Sequence, residues 1–139
     1  MTKTQITDSL QTLPHVELQL KDHNSFFFVG PGRVMPFATI VTDDGYQTPW
    51  ALPRPGEYRL NLGVGKQKFD GLFPGAIGQD GTLQGSFNFT ALDTLFPHPE
   101  YAGYGWVSIL NPSDATFATL QPLIAEAHRL ALKHAKLSD

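Results

Sequence analysis

The sequence predicts an α+β fold in which a mainly antiparallel sheet carries an N-terminal helix and a long C-terminal helix on one face. Apolar residues recur with a helical period at both ends of the chain, and several short segments between them alternate apolar and polar residues. The regular strand–helix alternation of a doubly wound sheet is lacking. With 139 residues, the chain is predicted to form a single domain over 1–139.

The N-terminal helix is predicted from its capping signal. Thr2 and Gln5 have the spacing of a capping box. Apolar residues then recur on one helical face until Pro14, which cannot continue the helix. These signals predict a helix over 3–13.

The C-terminal helix has an equally clear start signal. Asn111 is suited to the N-cap and Pro112 to the first helical position. Pro122 removes one backbone hydrogen bond and should kink the helix. The helix is predicted to bury the apolar residues that recur at spacings of three and four, namely Phe117, Leu120, Ile124, Ala127 and Ala131.

Strands and short helices fill the middle of the chain. Alternation and β-branched or aromatic content predict strands over 16–20, 25–29, 36–42, 57–64 and 105–110. A turn over 21–24 joins the first two strands. One short helix is predicted over 67–73. Capping spacing between Thr90 and Asp93 predicts another, which would carry Leu92, Leu95 and Phe96.

Composition and charge disfavour several classes of function. The chain has no cysteine, which excludes disulfides, thiol nucleophiles and iron–sulfur clusters. No Lys or Arg occurs between Lys68 and Arg129, so the chain is poorly suited to nucleic acid. No apolar run is long enough to span a membrane, and the N-terminus lacks the apolar core of a signal peptide. We therefore expect a cytoplasmic protein that binds neither membrane nor nucleic acid.

His98 is the candidate catalytic residue. The prolines on both sides stiffen its backbone, and imidazole titrates near neutral pH. Tyr101 and Asp93 are close in sequence and are the candidates to orient a general base. A structural role competes with this hypothesis, because His98 would serve equally well as a hydrogen-bond partner and Asp93 as a helix cap.

Arg59, Asn61 and Trp50 are the candidate ligand-binding residues. Arg59 and Asn61 lie two apart on the polar face of the best predicted strand, where two donors can hold a carboxylate or phosphate. The alternatives are a solvated strand face or an ion pair of Arg59 with Asp43, Asp44 or Glu57. His128 and His134 lack the spacing of a zinc pair, and we expect neither a metal nor a cofactor.

Several segments resemble those of a known family. The segments PFATIVT, RPGEYRLNLGV, FTALDTLFPHPEY and LNPSDATF are similar to a bacterial family described only as a domain of unknown function, numbered 6194. The resemblance runs from 26 to 134 and implies no activity. The last third also resembles the YjbR-like fold, in which a Trp-bearing strand leads into a C-terminal helix, as Trp106 does here. That likeness implies DNA binding, which the cation gap argues against.

Three hypotheses remain open at this point. The first is a non-enzymatic domain that binds a small ligand or a protein partner in a cleft lined by Arg59, Asn61, Trp50 and His98. The second is a small hydrolase or isomerase with His98 as general base. The third is an interaction protein, such as a homodimer, that associates through exposed strand edges or the Phe-rich strand over 25–29.

Overall fold

The fold is an antiparallel sheet with helices, as predicted. The computed structural model describes residues 1–33, 35–42, 52 and 54–137. Its helices are α1 (Lys3–Gln11), α2 (Gly65–Leu72), α3 (Asp114–Thr119) and α4 (Gln121–His134). Its strands are β1 (Val16–Lys21), β2 (Asn24–Val29), β3 (Ala38–Val41), β4 (Arg59–Gly63), β5 (Phe96–Pro97) and β6 (Trp106–Leu110). The sheet order is β1-β2-β3-β4-β6-β5, and each pair of neighbours is antiparallel.

The core lies between one face of the sheet and the helices. Strand residues alternate between the two faces, so Leu60 and Leu62 of β4 share a face with Val107 and Ile109 of β6. These side chains are buried in one cluster with residues of the helices. The helices contribute Ile6, Leu10, Phe69, Phe117, Leu123, Ile124, Ala127 and Leu132. The predicted apolar face of the central strand is therefore the core face.

Helix α1 begins at the predicted capping box. The Thr2 hydroxyl accepts a hydrogen bond from the Gln5 amide at 3.1 Å. In return, the Thr2 amide donates to Gln5 Oε1 at 2.9 Å. Two amides that no helical carbonyl can satisfy are thus paired, and the helix starts where the sequence predicts.

The β1–β2 hairpin contains a two-residue turn. Asp22 and His23 both have positive φ, at 53° and 67°. Lys21 pairs with Asn24 across the turn. Positive φ at both central residues is the geometry of a type I′ turn, whose twist matches that of the flanking strands. The predicted turn is confirmed, and it sets the register of the whole hairpin.

The predicted C-terminal helix differs from the structure at its start and its middle. Ser113, not Asn111, is the N-cap, and its hydroxyl accepts from the Thr116 amide. Asn111 instead adopts φ 43° and accepts the Tyr58 amide through Oδ1 at 3.0 Å. The predicted kink is a break at Leu120 that separates α3 from α4, and Pro122 lies in the first turn of α4, where its missing N–H costs nothing.

The predicted helix over 90–96 is wrong. The Thr90 amide and hydroxyl both bind the Asn88 side chain, which forms a local turn. Asp93 has φ 54°, a left-handed conformation that a helix cannot contain. Phe96 then pairs with Ser108 as part of β5. A capping residue marks a helix start only if the backbone after it can be helical. Here the backbone at Phe96 and Pro97 pairs with β6 instead.

Gly105 is required by the junction between the 3-10 turn Ala102–Tyr104 and β6. Its φ is 84°, and a Cβ there would lie 2.4 Å from the carbonyl carbon of Gly65. We expect Gly105→Ala to destabilise the fold by about 3 kcal/mol or more, from left-handed strain and overpacking. In Gly71→Ala the added Cβ has no neighbouring atom within 4 Å. This substitution inside α2 should instead stabilise the fold by about 0.5–1 kcal/mol.

Urea unfolding of both variants measures these effects. Gly71→Ala is the matched control, since the same methyl group is added in open space. Equal effects of the two substitutions would contradict the packing argument.

Candidate functional site

The second face of β4 is buried, although its residues are polar. Arg59 is 3% exposed and Asn61 is 1% exposed, on the face opposite the helices. The solvated strand face considered from the sequence is therefore wrong. Buried polar groups need partners, so the contacts of these residues decide what they can do.

Asn61 is held from both sides by neighbouring strands. Its Nδ2 donates to Thr39 Oγ1 of β3 at 2.9 Å. Its Oδ1 accepts from Ser108 Oγ of β6 at 2.6 Å. Both ends of the amide are thus engaged across three strands, and one N–H and one oxygen lone pair of this buried side chain are left for any further partner.

His98 is also held by the protein. Its Nδ1 accepts the backbone amides of Glu100 at 3.0 Å and Tyr101 at 3.1 Å. Because Nδ1 is an acceptor, the neutral ring carries its proton on Nε2. Burial, followed by the positive charge of Arg59, lowers the pKa of His98 to about 3. At neutral pH the nitrogen that these amides leave unused, Nε2, is therefore a donor, whereas a general base needs a free lone pair.

Aromatic rings surround His98. The Tyr101 ring centre lies 4.8 Å away, and the Trp106 ring centre lies 6.4 Å away in an edge-to-face arrangement. The Tyr101 amide orients the imidazole, so Tyr101 is an orienting residue through its backbone. His98 therefore lies next to the indole of Trp106.

Asp93 and Trp50 do not join this cluster in the described structure. The Asp93 carboxylate accepts the Ser113 amide at 2.8 Å, at the start of α3. This bond and others from Thr116 and Ser113 lower the pKa of Asp93. Among the described residues, no hydrogen bond or ion pair joins Asp93 to His98. Trp50 lies outside the described residues.

Glu57 binds a different arginine from the one considered in the sequence. Its Oε2 lies 2.5 Å from Nε of Arg54, and Glu57 is buried. Arg54 also donates to the Thr90 carbonyl at 2.8 Å. The pair therefore ties the segment before β4 to the segment that precedes β5.

A cavity of about 720 Å³ lies at one end of the sheet, away from the predicted cluster. It lies between the end of α4, the loop that follows β2, and the start of β6. Most of its lining is apolar, including Val29, Pro31, Met35, Phe37, Trp106, Leu130, Ala131 and Leu137. The described lining residues include none of Arg59, Asn61 and His98.

Trp106 forms a wall of this cavity, and Gly63 makes room for it. A Cβ at Gly63 would lie 2.8 Å from Trp106 Cε2, so only glycine allows the indole to lie flat on β4. Trp106 is 8% exposed, and its Nε1 forms no hydrogen bond with any described residue. Arg33 also lines the cavity, with its side chain about half exposed. The cavity thus offers an apolar body with polar side chains at Arg33, Tyr104, Trp106 and His134.

Comparisons with known proteins identify the family. A model for a family of unknown function (DUF6194) matches residues 1–138. The chain belongs to this family. No curated protein matches the DUF6194 chain, and no solved structure does, so the YjbR-like resemblance is unsupported. Membership alone therefore assigns no activity.

The described residues of this family member lack both a membrane-spanning helix and a metal-binding cluster. They contain no helix with the length and apolar character needed to cross a membrane. They also contain no cluster of three or more His, Cys, Asp or Glu side chains arranged to hold a metal ion.

The sequence did not point to the cavity. Its walls come from four separate stretches of chain, and each stretch has an ordinary local explanation as a turn, strand or helix. The one available signal was the Gly30-Pro31-Gly32 break followed by an exposed Met35. Such a loop predicts a sharp change of direction, and it does not predict what the loop faces.

We expect His98 to make stability depend on pH. Its pKa is about 3 in the folded protein and about 6.5 in the unfolded chain. The unfolded chain therefore binds the proton first as the pH falls. The contribution of neutral His98 to the free energy of unfolding is complete above pH 6.5 and is lost as the pH falls from there toward 3. Between pH 6.5 and about 5 the loss is about 2 kcal/mol.

His98→Asn is the matched variant, because its Oδ1 can accept the same two amides and does not titrate. Urea unfolding of both proteins between neutral pH and about pH 5 should show the extra loss in the parent protein only. If the stability of the two proteins fell equally as the pH is lowered, His98 would not be a buried neutral residue.

Proposed function

We propose that this protein binds a small, mainly apolar molecule with one hydrogen-bond acceptor, without catalysing a reaction. The observation that carries this proposal is the cavity of about 720 Å³ at the end of the sheet. Ligand pockets usually span about 300–1,000 Å³ and combine apolar walls with a few placed polar groups. The cavity matches that description in size and in lining.

The polar donors of the cavity, Trp106 and Arg33, suggest where the polar end of the ligand binds. The indole N–H of Trp106 is a donor among mostly apolar lining residues, and a carbonyl or carboxylate oxygen would satisfy it. Arg33 lines the same cavity and pairs with Glu17 only loosely, at 3.6 Å. An apolar body with a terminal carboxylate therefore suits this site better than a sugar or a nucleotide.

His98 has a supporting place in this proposal. Its ring and the Trp106 indole lie in an edge-to-face arrangement, and two backbone amides hold the imidazole in position. A neutral imidazole next to the indole keeps charge away from the apolar wall. The general-base alternative gains no support, because the Nδ1 lone pair is occupied.

Filling the cavity tests the proposal directly. Ala131→Phe adds a ring to the lining on α4 and should weaken binding of 4-phenylbutanoate by more than about tenfold, since the ring takes the ligand's space. Ala125→Phe places the same ring on the exposed side of α4 and should leave affinity unchanged. Isothermal titration calorimetry measures both affinities. Failure of the parent protein to bind apolar acids, or equal affinity in the two variants, would overturn the proposal.

Trp106→Phe tests the indole donor. We expect the affinity for 4-phenylbutanoate relative to that for butylbenzene, which has no acceptor, to fall roughly two- to tenfold, as for one lost hydrogen bond. The ratio is the measured quantity, because any loosening of the wall affects both probes. An unchanged ratio would show that the indole N–H does not contact the ligand.

A further inference from the structure

Strand β1 leaves one side of its backbone open. It lies at the end of the sheet order and pairs with β2 alone. The Gly30 amide donates to the His15 carbonyl at 2.9 Å, so the odd-numbered residues of this segment face β2. Hydrogen-bonding direction alternates along a strand, so Leu18 and Leu20 direct their N–H and C=O groups away from the sheet.

The side chains of β1 do not protect this edge. Natural proteins commonly block an edge strand with charged side chains, proline, a bulge or an inward-pointing charge, and the two charges of β1, Glu17 and Lys21, have opposite signs. Val16–Lys21 contains no proline, and its six residues pair with β2 in continuous register. Leu20 is 70% exposed on the core face, beside the half-buried Leu18. Such an edge is suited to pairing with another strand.

We propose that two copies of this chain associate through their β1 strands in an antiparallel pair centred on Gln19. Because only the even-numbered residues offer free backbone groups, they must face one another across the new pair. In the register centred on Gln19, Leu18 of one copy faces Leu20 of the other. Glu17 then faces Lys21, and two-fold symmetry forms this oppositely charged pair twice.

Charge complementarity selects this register over its neighbours. A shift that centres the pair on Leu18 sets Glu17 opposite Gln19 and leaves Lys21 without a facing charge. A shift that centres it on Leu20 sets Lys21 opposite Gln19 instead. Opposite charges that face each other across strands stabilise the pair. The strand is therefore self-complementary in the one register that also joins its leucines.

The surroundings of the edge suit a second copy. A groove of about 510 Å³ lies between α1 and the hairpin, and Leu18, Leu20 and Thr7 are among the residues that line it. In the proposed pair, each partner leucine comes to lie beside this groove. Pairing would cover the exposed Leu20 and continue the sheet across both copies. The observations that support this pairing do not include the cavity of the proposed ligand site.

Charge reversal tests the pair and its register. Analytical ultracentrifugation of the full chain should show a monomer–dimer equilibrium. Lys21→Glu sets two carboxylates opposite each other twice and should raise the dimer dissociation constant by about tenfold or more. Glu17→Lys should act in the same direction. The double variant Glu17→Lys/Lys21→Glu restores opposite charges and should return the constant to within about threefold of the parent value.

Two controls separate the register from general charge effects. Lys133→Glu makes the same change of net charge on an exposed position of α4 and should leave the equilibrium unchanged. Arg33→Ala removes the partner of Glu17 within the same copy and should strengthen the dimer by no more than about fivefold, since an exposed ion pair contributes about 1 kcal/mol or less. A protein that stays monomeric at high micromolar concentration would overturn the proposal. So would a dimer that single reversals do not weaken, or that the double variant does not restore.

Discussion

The hydrogen bonds that join Thr39, Asn61 and Ser108 hold the centre of the sheet. Antiparallel sheets commonly leave one face to water, but here both faces of β4 are buried. Each polar atom on the second face then needs a partner, since a buried unpaired group costs about 1–3 kcal/mol. Asn61 meets this need by one donor bond to β3 and one acceptor bond from β6. A single side-chain amide thus adds to the backbone pairing of three strands.

The same burial determines the chemistry of the face. Arg59 keeps its charge at any ordinary pH, so a protonated His98 nearby would add a second positive charge where water is excluded. The imidazole therefore stays neutral, and two backbone amides fix its acceptor nitrogen. Hydrogen bonds within the protein thus use part of the bonding capacity of Asn61 and His98. The available space lies instead at the end of the sheet.

Local patterns predicted much of the fold, whereas the cavity needed tertiary structure. The alternation of Leu60 and Leu62, the capping box at Thr2 and the turn after Lys21 depend on residues close in sequence. Asp93 and Asn111 failed as local signals because they bind amides of Ser113 and Tyr58, 20 and 53 positions away. Arg59, Asn61 and His98 were candidate site residues from the sequence, and the structure buries all three. Sequence could not show which partners satisfy them.

Glu17 connects the two proposed sites. It pairs with Arg33 at the cavity in one copy, and in the proposed dimer it faces Lys21 of the other copy. A dimer that draws Glu17 toward Lys21 leaves Arg33 freer to meet a ligand carboxylate, and by linkage an acidic ligand favours the dimer to the same extent. An exposed ion pair contributes about 1 kcal/mol or less, which limits this coupling to roughly fivefold. An uncharged ligand makes no contact with Arg33 and should bind monomer and dimer alike.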